Sequence, residues 1–144
     1  MNWKDEAAGY LKNYGPMRAS LESIPMELSR LELEARAIRS SAPRGVPGTR
    51  RFDAVEGRLL NNLAMRTQLQ FQLDNAKKWV AVAEKAMEAL SREDRLVLEL
   101  MYISPGTGSV QQLCQQLEVE QSSVYRRRDR ALQRFATALY GSPS

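Results

Sequence analysis

Residues 110–135 read VQQLCQQLEVEQSSVYRRRDRALQRF, a pattern of short helix, turn and longer helix. Leu113, Leu117, Val119 and Val124 are its apolar anchors. Their spacing fits a short helix ending near Leu117, a three-residue turn Glu118-Val119-Glu120, and a second helix from Gln121 to about Leu139. Ser109-Val-Gln-Gln112 offers a capping box to open the first of these helices. Cys114 falls where a small side chain lets two helices approach. The pattern is that of a helix-turn-helix, in which a short helix braces a second whose exposed N-terminal face enters a major groove.

Charge supports that reading. The chain has 144 residues, with 21 Lys and Arg against 17 Asp and Glu. Residues 121–144 hold Arg126, Arg127, Arg128, Arg130 and Arg134 against Asp129 alone, so the 120 residues before them are neutral. The whole net charge of +4 therefore sits on the candidate recognition helix. Localised cationic charge points to an anionic partner, of which nucleic acid is the commonest, and with the helix-turn-helix spacing the expected partner is double-stranded DNA. Gln121, Ser122, Tyr125 and Arg126 are the expected base-reading residues, since Gln pairs best with adenine and Arg with guanine. Ser123, Arg130 and Arg134 are the expected phosphate contacts.

Composition excludes other classes. With no histidine, the commonest general acid/base and metal ligand is missing. One cysteine makes neither an internal disulfide nor a zinc cluster, and a reducing compartment is expected. No glycine-rich phosphate loop or nucleophile with its base can be assembled, so neither enzyme activity nor a cofactor or metal is expected. No stretch of about 20 apolar residues exists, and MNWKDEAAGY lacks a signal-peptide pattern. The expectation is a cytoplasmic protein with no membrane partner.

Helix signals dominate the rest of the chain. Ser91-Arg-Glu-Asp94 forms a capping box before Leu96, Val97, Leu100 and Met101, and Ser104–Gly108 ends that helix. Between Gly48 and Pro105 there is no proline and one glycine, Gly57, which predicts a long helix from about Asp53 to Leu90. Its seam is read as Val55, Leu59, Leu63, Leu69 (or Gln70), Leu73, Ala76, Val80, Ala83, Met87 and Leu90, interrupted by Arg66. Residues 40–51 (SSAPRGVPGTRR) read as a mobile linker. Before it, Leu21, Ile24, Leu28, Leu31, Ala35 and Ile38 follow a heptad. Residues 2–14 place Trp3, Ala7, Tyr10, Leu11 and Tyr14 on one face, and Gly15-Pro16 is expected to break that helix.

Leu90–Tyr102, Val110–Leu117 and Ser123–Phe135 resemble region 4 of sigma-70-type factors. They are still more similar to small phage and prophage proteins of the ArpU and RinA late-transcription-regulator type. That resemblance implies promoter reading by Gln121, Ser122, Tyr125 and Arg126, with RNA polymerase as a partner in a bacterial host. The chain departs from the pattern in its Ser104–Ser109 loop, which is longer than a typical region 4 turn, and at three residues. Glu118 stands where the turn often has glycine, Glu120 where an N-capping Ser or Thr is usual, and Arg127 where an apolar residue is usual.

The expected architecture is all-α. An N-terminal antiparallel, coiled-coil-like helical hairpin (1–89, with the linker at 40–51) precedes a helix-turn-helix domain (90–140). The hairpin is expected to support a homodimer or to touch RNA polymerase. The expected function is sequence-specific DNA binding in transcription regulation. The alternative is a phage DNA-packaging module, similar to a small terminase subunit, or a structural DNA-binding module.

Overall fold

The computed structural model describes residues 2–41 and 48–141, and among them the chain is all-α. The helices are α1 (Trp3–Ser41), α2 (Arg50–Glu88), α3 (Arg92–Leu98), α4 (Ser109–Leu117) and α5 (Gln121–Tyr140), with a π-helical turn, Glu99–Ile103, extending α3. No described helix is long and apolar enough to cross a membrane. The chain divides into two compact units, residues 19–77 and the two flanking segments 2–18 and 78–141.

α1 is helical through Gly15-Pro16, where a break was expected. Each interior proline, Pro16 and Pro25, removes one backbone hydrogen bond and costs on the order of 3 kcal/mol. Burial on both sides outweighs that loss: Ala7 and Leu11 are fully buried before Pro16, and Ile24 and Leu31 are buried around Pro25. Asn2 starts the helix by accepting from the Lys4 amide at 3.1 Å.

The linker expected at 40–51 is shorter at both ends. Ser40 and Ser41 are helical, each hydroxyl donating to the carbonyl four residues earlier at 2.9 Å. Arg50 and Arg51 already belong to α2, whose start is capped by Thr49 accepting from the Phe52 amide at 3.3 Å. The rest of the expected linker, residues 42–47 with Arg44, lies outside the described residues.

In the 19–77 unit, Ile24, Leu31, Ala35 and Ile38 of α1 are buried, as their heptad predicts. On α2 the buried seam passes through Asn62, Leu73 and Ala76, while Leu63 is 51% exposed. The seam therefore runs through a polar residue that periodicity skipped. Asn62 tolerates burial because both ends of its amide are used. Its Nδ2 donates to the Leu31 carbonyl and its Oδ1 accepts from Arg66 Nε, each at 2.8 Å.

The other unit has a core that joins both chain segments. Ala7 and Leu11 of α1, Ala86 and Leu90, Leu98, and Ala131, Leu132, Phe135 and Ala136 of α5 form one buried cluster. Tyr10 stacks on Trp79 with ring centroids 3.9 Å apart and meets Phe135 edge-on at 6.3 Å. Tyr14 donates to Glu84 Oε1 at 2.8 Å, and Arg18 pairs with the same carboxylate at 3.5 Å. A second cluster, Val97, Leu113 and Val124, is flanked by Leu100, Cys114, Leu117 and Val119. It holds α3, α4 and the start of α5 together.

Candidate nucleic-acid interface

α4 and α5 are positioned by their caps and by the second cluster. Gly108 precedes α4 with φ 82, a conformation that favours glycine, and it is the N-cap where Ser109 was expected. Ser109 is instead the first helical residue, and its hydroxyl closes the loop by donating to the Gly106 carbonyl at 2.9 Å. The expected capping box is therefore absent, because the glycine already turns the chain into the helix.

The turn after α4 is the three-residue Glu118–Glu120 segment that the sequence predicts. Glu118 adopts φ 54, in the left-handed region, and the Val119 amide donates back to the Cys114 carbonyl at 3.2 Å. This is a Schellman ending with glutamate where glycine is usual, and the backbone conformation costs about 1–2 kcal/mol for an L residue. Glu120 caps α5 by its backbone only, with no side-chain hydrogen bond. The first-turn amides of α5 therefore keep donors available to an outside acceptor.

α5 buries one face through Val124, Ala131, Leu132, Phe135 and Ala136. Gln121, Ser122, Tyr125 and Arg126 are all exposed at its N-terminal end. Arg126 Nη2 donates to Ser123 Oγ at 3.2 Å, which links an expected base-reading residue to an expected phosphate contact. The Tyr125 ring lies under the Arg128 guanidinium at 5.2 Å.

The five arginines are not equivalent. Arg127 pairs with Glu93 at 2.8 Å and Arg134 with Asp94 at 2.5 Å, so two carboxylates of the α3 first turn hold two cations of α5. Arg128 bonds the neighbouring Asp129 at 3.2 Å, and Lys4 approaches the same carboxylate at 3.7 Å. Among the described residues, neither Arg126 nor Arg130 has a carboxylate within ion-pairing distance, and both are exposed. The free positive charge is thus a two-arginine ridge on the outer face of α5. Arg134 lies one turn further along, 59% exposed but tied to a buried aspartate.

Sequence spacing located the exposed face of α5 but missed the α3 carboxylates. Glu93 and Asp94 read as ordinary first-turn acids favoured by the helix dipole. Ser91 does cap α3, accepting from the Asp94 amide at 3.2 Å. The partners of these acids are 34 and 40 residues away, a separation that local periodicity cannot register. Burial raises the Tyr102 hydroxyl above its ordinary range, with Asp129 adding to the effect and Arg128 opposing it.

Shallow grooves line this surface. One of about 490 Å³ runs beside Val119, Ser123, Arg126, Arg127, Asp129 and Arg130. No group of three or more His, Cys, Asp and Glu among the described residues is placed to hold a metal. No protein-family model matches the chain, and no curated protein or solved structure matches it significantly. The resemblance to sigma region 4 therefore rests on the quoted residues alone.

Proposed function

We propose that the chain is a sequence-specific DNA-binding regulator in which α4 and α5 act as a helix-turn-helix. One observation carries this reading. The N-terminal end of α5 exposes Gln121, Ser122, Tyr125 and Arg126 beside an unpaired Arg130, on a helix whose opposite face is buried. In that arrangement α4 braces α5, and the start of α5 enters the major groove. Gln121 and Arg126 read base edges, and Ser122 and Tyr125 add less selective contacts. Ser123, Arg130 and the first-turn amides hold phosphate, and Arg134 joins them where the backbone competes with Asp94. The resemblance to phage late-transcription regulators adds RNA polymerase as a partner at promoters. Titration of the full chain against a selected duplex and a random duplex tests the reading. Preference for the selected duplex, lost in Arg126→Ala, is expected. Equal affinity of the native chain for both duplexes overturns it.

A further inference from the structure

The buried seam of α2 within residues 19–77 uses one side of the helix, yet Leu60 is 65% exposed, Phe71 66% and Leu63 51%. Leu60, Ala64, Thr67 and Phe71 succeed one another by four, three and four residues, all exposed, within about 60° of arc. They lie on the side of α2 away from Asn62, Leu73 and Ala76. Thr67 donates its hydroxyl to the Leu63 carbonyl at 2.9 Å, so its polar group is satisfied within its own helix. The stripe is a short heptad that none of the described residues covers; Thr67 and Phe71 border an open groove with Leu28 and Glu32 of α1.

Its order is palindromic. Two large residues flank two small ones, so an antiparallel copy of α2 sets Leu60 against Phe71 and Ala64 against Thr67. The small residues at the centre permit close approach. The flanks follow the same symmetry. Glu56, Leu63, Gln70 and Lys77 share one edge at seven-residue steps. Antiparallel pairing brings the Glu56 of each copy to the Lys77 of the other, twice per dimer. Glu56 and Lys77 are both exposed, and neither forms an ion pair among the described residues. The opposite edge places Asn61 against Gln68, two neutral amides. A parallel pairing instead sets Asp74 against Asp74 on the stripe and leaves Glu56 and Lys77 without opposite charges.

We infer that the exposed face of α2, centred between Ala64 and Thr67, binds a second copy of this chain in antiparallel orientation. The inference rests on α2 alone and stands separately from DNA recognition. Sedimentation equilibrium of the full chain over a micromolar concentration series tests it, with circular dichroism as the check on folding. The native chain is expected to form dimers. Leu60→Asp is expected to weaken them at least about a hundredfold while leaving helix content unchanged, with Phe71→Ser as the independent second variant. Glu56→Lys and Lys77→Glu each weaken dimerisation by roughly tenfold, and the double variant restores it. A monomeric native chain overturns the proposal. So does a dimer indifferent to both stripe variants, or a double charge reversal that fails to restore what the single ones lose.

Discussion

Arg130→Ala separates affinity from fold more cleanly than any other change on α5. Arg130 is exposed and has no ion-pair partner among the described residues, so its removal costs the free protein nothing measurable. Alanine is also the better helix former, which leaves the melting temperature unchanged or slightly raised. On the proposed reading Arg130 neutralises one phosphate. Each such contact contributes about −0.9 to the slope of log K against log salt. A fourfold rise in salt therefore weakens the native complex about 3.5-fold more than the variant. Selected and random duplexes should lose affinity alike, because a phosphate carries no sequence information. Arg134→Ala provides the contrast. It leaves Asp94, 10% exposed, without its cation. A charge-assisted hydrogen bond of about 1.5–3 kcal/mol, discounted for the exposure of Arg134, gives a loss near 1 kcal/mol. That lowers the melting temperature by a few degrees, roughly. Fluorescence anisotropy at several salt concentrations, paired with thermal melts, measures both variants. An unchanged salt slope in Arg130→Ala, or a loss confined to the selected duplex, refutes the assignment.

Three further outcomes are expected. Arg126→Ala should cost about 1–3 kcal/mol on a selected duplex and little of the sequence preference should remain, as competition titrations will read out. Glu118→Gly relieves the left-handed backbone of the turn after α4 and should stabilise the protein by roughly 0.5–1 kcal/mol; a lowered melting temperature would count against that geometry. Tyr14 is held above its ordinary value of about 10 by burial first and by its hydrogen bond to Glu84 second. The folded state thus holds that proton more tightly, so the stabilisation is full below about pH 10 and is lost as pH rises through the folded-state value. Tyr14→Phe should flatten the alkaline fall in melting temperature, and an identical fall in both proteins contradicts the assignment.

The all-α class was legible because no segment alternates as a strand does and one long interval lacks proline. The boundaries of α4, its turn and α5 were legible for the same kind of reason, since Leu113, Leu117 and Val124 sit at fixed local spacings. Two features were not. Local rules stop a helix at Gly15-Pro16, but they carry no information about Ala7 and Leu11 lying in a core with Leu98 and Phe135. That burial is a long-range property, and it joins residues 2–18 to the unit that carries α5. Periodicity likewise assigned Leu63 to the buried seam, because an apolar count cannot foresee an asparagine whose amide is satisfied at both ends. At the candidate interface the exposed residues were readable, whereas the state of the arginines was not. The five arginines of one helix become, once Arg127, Arg128 and Arg134 pair with Glu93, Asp129 and Asp94, a ridge centred on Arg126 and Arg130.

Selection of bound duplexes from a random pool decides whether α5 recognises sequence. Selection by the native chain at two salt concentrations should enrich one defined motif at both, with the motif blurred when Arg126→Ala replaces the native chain. Strong binding that enriches no motif, equally lost by both proteins as salt rises, would contradict it and mark α5 as a reader of phosphate alone.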